Sequence, residues 1–328
     1  MLYIIDRSAD PWWNLAAEEY LFKEFNEPVF RLWQNDNAII IGLHQNAYAE
    51  INLDFVKQNN IKVVRRLTGG GAVFHDLGNV NFTFIDNRIK GEDSAGMFAR
   101  FTKPVLDALN KLGVNASLEG RNDLMIDGRK FSGNALAVYR ERVLQHGTLL
   151  YSSSIRDLSG ALASRAEKFE SKSVKSNAAR VTNISEHLKS PMTIGDFISY
   201  MEKEITQGRD YNIYTYSRKD LDAISELREN RYSRDSWNYG SAPAYSFSKV
   251  RYFPAGLIEL WMEVKRGKIS DIKIFGSYFF LKETSELETL LKGAEHTPAG
   301  IGERLKKINL SDYFVNIAGE EFLSLFWD

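Results

Sequence analysis

The chain has 328 residues, a formal net charge of −1, 44% hydrophobic residues and 26% charged residues. These fractions exclude wholesale disorder, leave room for two domains, and give no indication of a nucleic-acid or membrane partner. No cysteine is present, which excludes disulfides and a cysteine nucleophile. Without a signal peptide or an apolar run of the roughly 20 residues that a membrane helix needs, we expect a soluble, cytoplasmic protein.

The first third of the chain alternates short strands with helices. Hydrophobic patterning predicts strands at Leu2–Ile5, Phe30–Trp33, Ala38–Ile41, Lys62–Arg66, Ala72–His75 and Asn81–Ile85. It predicts helices that open at Asp10-Pro11 and run through Phe25, and at Leu53–Gln58 and Ser94–Leu112. The last of these is the clearest, because its apolar residues share one face and Gly113 is suited to end it.

A hairpin is predicted at Asp123–Asn134, where Asp127-Gly128 fits a two-residue type I′ turn between two extended arms. Ala135–Tyr151 is predicted to be a strand, and helices are expected near 155–166, 193–206 and 218–230. The segment from about Glu170 to Arg180 is rich in Ser, Lys and Asn, so we expect a mobile loop there.

The composition changes near Asn238–Pro243, a candidate linker. Beyond it the pattern predicts a three-stranded meander and three helices, at Ser248–Phe253, Leu257–Val264, Ile269–Phe275, 283–293, 298–307 and 318–327. We therefore predict an α/β (α+β) fold with a large domain at 1–245 and a small α+β domain at 246–328.

Three glycines follow a predicted strand in the run Arg65-Arg66-Leu67-Thr68-Gly69-Gly70-Gly71. Glycines without Cβ atoms leave backbone N–H groups accessible, and two neighbouring arginines add forked donors for phosphate or carboxylate. A plain flexible turn is the alternative, since the spacing is neither that of a P-loop nor that of a dinucleotide fold. The arginines favour an anion site.

Lys130 lies on the return arm of the predicted hairpin. A lysine on a rigid hairpin is well placed to neutralise charge that grows at a phosphate, although most lysines are merely solvated. Asp123, on the first arm, is a candidate Mg²⁺ ligand, and its alternative role is to cap a turn.

These segments carry a resemblance to a known family. Residues 65–79, the runs Gly120–Leu124 and Arg129–Ala135, and His146–Leu150 resemble the motifs of lipoate–protein ligases, in the same order. Further similar runs start at Asp10 and Arg180. The resemblance extends from the N-terminus to about residue 245. It implies a catalytic domain like that of the biotin/lipoate ligase superfamily, with mixed sheets flanked by helices, and a smaller C-terminal accessory domain.

The resemblance also implies roles for individual residues. The positions that match ATP-binding residues are Arg66, Gly71, Ala72, Val73, Phe74 and Lys130, and those that match lipoate-binding residues are Lys130, Arg66, Gly70 and His75. Lys130 is the expected catalytic residue. Gly69, Asn122, Asp123 and His146 are additional candidates, with Asp123 as the possible metal ligand.

The implied reaction has two steps. Lipoate attacks the α-phosphate of ATP with Mg²⁺ present, and a lysine of an acceptor then attacks lipoyl-AMP. The implied acceptors are lipoyl domains of 2-oxoacid dehydrogenase complexes and the glycine cleavage H protein. An acyl transfer through an enzyme thioester is excluded because the chain has no cysteine. A transferase that uses only preformed lipoyl-AMP and a non-catalytic lipoate-binding protein remain alternatives.

Two further hypotheses concern the pocket. The apolar lipoyl chain is expected in a tunnel lined by residues such as Trp33 and Ile41, for which core packing is the alternative. His75 and His146 are candidates to help deprotonate the acceptor lysine, and the alternative is that each is a hydrogen-bonded structural histidine.

Overall fold

The computed structural model describes residues 1–45, 47–51, 53–120, 122–154, 181–207, 210–239, 247–253, 256–315 and 317–326. The strands are β1 Leu2–Ile4, β2 Val29–Trp33, β3 Ala38–Ile41, β4 Lys62–Arg65, β5 Val73–His75, β6 Asn79–Asn87, β7 Ala116–Glu119, β8 Asp123–Ile126, β9 Arg129–Tyr139, β10 Arg142–Leu150, β11 Asn212–Tyr214, β12 Phe247–Phe253, β13 Gly256–Lys265 and β14 Lys268–Gly276. The α-helices are α1 Pro11–Glu24, α2 Ala47–Glu50, α3 Leu53–Gln58, α4 Ser94–Lys111, α5 Ile194–Thr206, α6 Arg218–Leu227, α7 Asp235–Asn238, α8 Thr284–Leu291, α9 Pro298–Leu305 and α10 Gly319–Ser324.

These strands form three sheets. The largest has eight strands in the order β11-β1-β2-β6-β10-β9-β8-β7 and is antiparallel except where β1 meets β2 and β11. A three-stranded sheet has the order β4-β3-β5, and the C-terminal sheet is the meander β12-β13-β14. In the part of the chain that is described, no helix has both the length and the hydropathy of a membrane span.

Helix α1 connects the two N-terminal sheets. Asp10 caps its first turn and Pro11 occupies its first position, where a missing N–H costs nothing. Leu15 and Tyr20 pack with residues of the small sheet and of α6, whereas Leu21 and Phe22 pack against β1, β2 and β6 of the large sheet. A helix covered on most sides is apolar nearly all round, and its buried polar residues then need partners.

The largest core lies between the eight-stranded sheet and helices α4 and α5. Helix α4 contributes the apolar stripe that its sequence predicts, and Asp93 caps it by accepting a hydrogen bond from Gly96 N at 2.8 Å. Gly113, at φ +86°, follows its C-terminus as expected.

The C-terminal sheet and its helices have a core of their own. The segment that follows β14 connects this core to the N-terminal domain, because Tyr278 and Phe280 belong to the C-terminal core. Gly276 N donates to His44 O at 2.8 Å, Gly70 N donates to Tyr278 O at 3.3 Å, and Phe279 joins the largest N-terminal core.

The predicted fold class and most elements are confirmed. The predicted strand Ala135–Tyr151 is wrong as a single element, because a turn at Arg140, with φ +53°, divides β9 from β10. Strands β7 and β11 were not predicted. The expected helix at 155–166 and the expected loop at 170–180 lie outside the described residues.

Candidate active site

Arg66 organises the glycine loop between β4 and β5. Its Nη2 donates to Gly69 O at 2.6 Å and to Gly71 O at 2.8 Å, Nη1 donates to Ile40 O at 3.0 Å, and Nε donates to Thr68 Oγ1 at 2.9 Å. The side chain is 5% exposed, and burial lowers the pKa of Arg66 to about 10. The guanidinium therefore stays charged at neutral pH and holds the loop by its carbonyl oxygens.

Two of the three glycines in this loop have a structural reason, Gly70 in its backbone conformation and Gly69 in a close approach. Gly70 has φ +92°, a conformation that residues with a Cβ atom rarely adopt. A Cβ on Gly69 would lie 2.3 Å from Tyr278 O, so the loop contacts the C-terminal domain backbone directly.

Arg65 does not offer its hydrogen-bond donors to an anion at the loop. This corrects the expectation that both arginines serve the site. It is 7% exposed and donates to the carbonyl oxygens of Gly42, Leu43, Gln45, Trp237 and Asn238. Since carbonyl oxygens occupy the guanidinium, Arg65 fixes the chain between β3 and α7 instead.

The hairpin of β8 and β9 forms as predicted, with Asp127 and Gly128 at φ +49° and +74°. Lys130 Nζ lies 2.7 Å from Asp123 Oδ1, and both side chains are 38% exposed. Nearby, Asn122 Nδ2 donates to Asn134 O at 2.7 Å and Asn134 Nδ2 donates to Asn122 O at 3.0 Å, which clasps the start of the hairpin. The lysine is thus held by a single carboxylate at the solvent edge of a rigid support.

His146 is a hydrogen-bonded histidine. Its Nδ1 lies 2.9 and 3.0 Å from the carboxylate oxygens of Glu18, and its Nε2 lies 2.7 Å from Thr68 Oγ1. Burial acts against the charge of Glu18, but His146 and the Thr83 hydroxyl outweigh it, so the pKa of Glu18 is lowered overall. Because an ionised carboxylate only accepts hydrogen bonds, His146 carries a proton on Nδ1.

His75 is 3% exposed, and its Nδ1 lies 3.1 Å from Asn35 Nδ2. Burial, together with the charge of Arg66 and the neighbouring His146, lowers the pKa of His75 to about 3. The ring is therefore neutral at physiological pH, and its low pKa makes it a weak base for deprotonating an acceptor lysine.

A cavity of about 170 Å³ lies between the glycine loop and the hairpin. Its walls bring together many of the residues that the sequence singled out, namely Trp33, Arg66, Gly70, Gly71, Ala72, Val73, His75, Asn122, Lys130 and His146. The glycine loop forms one wall and the hairpin of β8 and β9 forms another. Phe279 of the C-terminal domain also lines the cavity. A second cavity, about 310 Å³, lies behind Trp33 and shares that residue.

Other predicted site residues lie elsewhere. Ile41 packs on the opposite face of the small sheet, with Ile39 and Val63, so it does not line the cavity, and Ile40 does. The alternation of side chains along a strand accounts for the error. The side chain of Phe74 also lies in that opposite core, which leaves its backbone as the group able to reach a ligand.

Sequence reasoning missed Phe279, Glu18 and Asn81. Phe279 and Asn81 line the cavity, and Glu18 supports it through His146. The adjacent carboxylates Glu18 and Glu19, which follow the apolar run Leu15-Ala16-Ala17 in α1, were a usable signal for Glu18. Neither Phe279 nor Asn81 has a local sequence signal, because each reaches the cavity through long-range packing.

The site is a cavity on a two-sheet α/β domain that is lined by one buried and one partly exposed cation, Arg66 and Lys130. Comparison with known proteins identifies one family for both parts of the chain. The lipoyl protein ligase A/B catalytic domain matches residues 10–206, and the bacterial lipoate protein ligase C-terminus matches residues 242–326. Lipoate-protein ligase LplJ of Bacillus subtilis is 43% identical over 333 aligned positions that cover 100% of both chains. This chain belongs to the lipoate–protein ligase family.

Solved structures agree with that assignment. P. falciparum LipL1 in complex with lipoate has a TM-score of 0.80 and 27% identity, covering 98% of this chain and 97% of that one. Lipoate-protein ligase A bound with ATP has a TM-score of 0.64 and 28% identity, covering 73% of this chain and 98% of that one. The resemblance identified in the sequence is confirmed over both domains.

Proposed function

We propose that this chain activates lipoate with ATP and then transfers the lipoyl group to a lysine of an acceptor lipoyl domain. The chain is an ATP-dependent lipoate–protein ligase. The observation that carries the site assignment is the placement of Lys130 and Arg66 on opposite walls of one cavity beside the glycine loop. Relatives of this fold are found in complex with lipoate and with ATP, and both are taken as the substrates here.

In the first step a lipoate oxygen attacks the α-phosphorus of ATP, and the bond to pyrophosphate breaks. Negative charge grows on the phosphoryl oxygens, so fixed positive charge and N–H donors accelerate the step. Lys130 supplies a cation that can leave Asp123 for the phosphate. Arg66 contributes its buried charge and shapes the ATP-binding run Gly71, Ala72, Val73 and Phe74. Gly70 and His75, with Gly69 behind them, face the lipoate carboxyl group.

In the second step the acceptor amine attacks the acyl carbon and AMP leaves. We place the acceptor among lipoyl domains of 2-oxoacid dehydrogenase complexes and the glycine cleavage H protein, and the reaction in the cytoplasm. Specific acceptors and location stay predictions from the sequence.

Magnesium would bind at this site mainly through the phosphate oxygens of ATP. No group of three or more His, Cys, Asp or Glu residues able to hold a metal occurs in the described residues, so a resident metal is not supported. One carboxylate is a common protein contribution to phosphate-bound Mg²⁺, and Asp123, beside Lys130, is the residue that would supply it. When bound, Mg²⁺ shields the triphosphate charge.

We assign the chemistry to a domain at 1–245, with 246–328 as an accessory domain. The accessory domain reaches the site through Tyr278 and Phe279, which contact the glycine loop and the cavity. Asn122 and His146 act by holding the walls in place.

Lipoate-dependent exchange of pyrophosphate into ATP tests the first step. A full ligase exchanges label only when lipoate is present. A transferase restricted to preformed lipoyl-AMP shows no exchange but lipoylates an acceptor when given the adenylate. A non-catalytic binding protein does neither while still binding lipoate.

A further inference from the structure

Four buried side chains form a line of hydrogen bonds that ends at His75. Arg31, which is 0% exposed, donates from Nη2 to Asn14 Oδ1. Asn14 Nδ2 donates to Asn35 Oδ1 at 3.0 Å, and Asn35 Nδ2 lies 3.1 Å from His75 Nδ1. Asn14 and Asn35 are also 0% exposed. The line therefore lies inside the protein, where water does not compete for the bonds.

The direction of every bond in the line is fixed. A guanidinium only donates, so Asn14 must turn its oxygen to Arg31. Asn14 Nδ2 also lies 2.9 and 2.7 Å from the carbonyl oxygens of Ser8 and Gln34, so its two hydrogens are shared among three acceptors and the flipped amide is excluded. Asn35 then presents its oxygen to Asn14 and its NH₂ group to His75. His75 Nδ1 is consequently an acceptor, and the neutral ring carries its proton on Nε2.

That Nε2–H group has no hydrogen-bond partner in the part of the chain that the structure describes. His75 lines the cavity, and its Nε2 is buried without a hydrogen bond among the described residues. Asn81 lines the same cavity and has a similar donor: Asn79 Nδ2 donates to Asn81 Oδ1 at 3.0 Å, and Asn81 Nδ2 is unpaired in the described structure. An unpaired buried donor is costly, so two from residues that line one cavity indicate a site for an acceptor oxygen.

The charges around the ring favour its neutral form. The titratable groups that act on its pKa are Arg66 and His146, which is paired with Glu18, and the Trp33 ring contacts His75 edge-on. Burial and the charge of Arg66 oppose a further cation there. A neutral imidazole that donates a hydrogen bond is a known catalytic device.

We propose that His75 donates from Nε2 to the acyl carbonyl oxygen of the lipoyl adenylate, and that Arg31, Asn14 and Asn35 are positioning residues that fix this tautomer. The inference rests on the proposed function. In the transfer step the amine lone pair forms the C–N bond and the carbonyl electrons move to oxygen. When they return, the bond from carbon to the phosphate oxygen breaks, AMP leaves with that electron pair, and one proton passes from nitrogen to water.

The two steps make different demands on this donor. During transfer the carbonyl oxygen becomes an oxyanion, and a fixed donor stabilises growing charge. During adenylation the non-attacking oxygen of lipoate loses charge, so the same donor gives little help. His75 is therefore expected to affect transfer more than activation.

Asn35→Asp is the discriminating variant. Aspartate is nearly isosteric with asparagine, and it reverses the direction of the hydrogen bond between residue 35 and His75 Nδ1. A carboxylate accepts a hydrogen bond from His75 Nδ1–H, so the neutral ring carries its proton on Nδ1 and Nε2 is left without one. In a serine-protease triad the reverse exchange, Asp to Asn, produces the wrong tautomer and lowers kcat about 10⁴-fold. One added proton restores Nε2–H, whether it resides on the aspartate or on the imidazole. The variant should therefore recover as the pH falls.

The experiment measures single-turnover transfer from isolated lipoyl-AMP to a lipoyl domain between pH 6 and about 9, alongside lipoate-dependent exchange, with each variant normalised to wild type at each pH. For Asn35→Asp we expect transfer to fall about 100-fold at the alkaline end, to recover toward pH 6, and to fall more than exchange does. Nitrogen-15 NMR should show His75 as the Nε2–H tautomer in the wild type and the Nδ1–H tautomer in the variant at alkaline pH.

Asn37→Asp is the matched control, since it adds the same charge two residues away. Asn37 has φ +44°, which Asp tolerates, and it donates to Asn59 O rather than to His75. If Asn35→Asp does not fold, His75→Phe removes the donor without adding charge and should lower transfer more than exchange. An Nδ1–H tautomer in the wild type, or a variant transfer rate without pH recovery, overturns the proposal. Wild-type protein that transfers nothing from lipoyl-AMP would instead contradict the proposed function, and the tautomer would still be measured.

Discussion

The two walls of the cavity hold their cations in opposite ways. On the loop wall, Arg66 is 5% exposed and its guanidinium is bound by the carbonyl oxygens of Ile40, Gly69 and Gly71 and by Thr68. On the hairpin wall, Lys130 is 38% exposed and pairs with one carboxylate, that of Asp123. One cation is built into the protein, and the other is held at its edge.

The difference separates shaping the site from acting on the substrate. Arg66 cannot leave its partners without exposing buried carbonyl oxygens, so it preorganises the loop. Lys130 gives up little when it exchanges Asp123 for a phosphate, because exposed ion pairs contribute only about 0–1 kcal/mol. Changes on the loop wall should therefore reduce stability, and changes on the hairpin wall should reduce rate.

Arg66→Met should have the largest effect. It removes the donor from the buried carbonyl oxygens of Ile40 and Gly69, from the buried Thr68 hydroxyl and from the partly buried Gly71 O, and each unpaired buried group costs about 1–3 kcal/mol. We expect the free energy of unfolding, measured with urea, to fall by at least about 3 kcal/mol, together with a loss of exchange activity. If the variant were as stable as the wild type, the claim that the loop wall contributes mainly to stability would be wrong.

Lys130→Ala should lower lipoate-dependent exchange by hundreds-fold, equivalent to about 3–4 kcal/mol on the barrier, with an unchanged melting temperature. Lys103→Ala is a suitable control, because Lys103 is also paired with a single carboxylate, Asp107, on an exposed surface. Near-normal exchange in Lys130→Ala would remove this lysine from the mechanism.

Acid should weaken the loop wall through His44, which follows β3 and stacks on Tyr278 at 5.1 Å between ring centroids. Burial, with Arg65 and Lys273, lowers the pKa of His44 from 6.5 to about 3. The unfolded chain therefore binds a proton that the folded protein excludes, and stability falls as the pH drops below about 6.5. At pH 5 this amounts to about 2 kcal/mol.

His44→Gln should thus lose less stability between pH 7 and pH 5 than the wild type does, by up to about 2 kcal/mol in urea unfolding. His75, with a similarly lowered pKa, remains in both proteins and contributes equally. Identical pH profiles for the two proteins would show that His44 is not excluded from protonation by the docked C-terminal domain.

Asp123→Asn should have the smallest effect on stability, at most about 1 kcal/mol by thermal unfolding, because the pair with Lys130 is partly exposed. It should raise the Mg²⁺ concentration needed for half-maximal exchange. An unchanged Mg²⁺ dependence would assign Asp123 to holding Lys130 alone.

The sequence predicted the hairpin wall better than the loop wall. Asp127-Gly128 is a local turn signal, so the position of Lys130 followed from neighbours in the chain. The partners of Arg66 were not predictable in this way, because its acceptors lie on β3 and in the glycine loop. Arg65 was expected to serve the anion site, but its acceptors lie on α7 and in the segment after β3. Phe279 and Tyr278 reach the site from a segment about 200 residues further along the chain than the loop.

The same limit applies inside α1. Asn14 and Glu18 lie one turn apart in an apolar run, and the sequence does not reveal that each leads to a different histidine. Burial of the helix on most sides forces its polar residues to find partners, but which partners depends on the packing of β2, β6 and β10. Local patterns specify elements, and long-range packing specifies the network.

The most direct test of the account is the intact mass of a purified lipoyl domain after incubation with this protein, ATP, Mg²⁺ and lipoate. The account predicts a gain of one lipoyl group, on one lysine, that requires both ATP and lipoate and is strongly reduced with Lys130→Ala. An unmodified lipoyl domain, with this protein folded and lipoate bound, would contradict it.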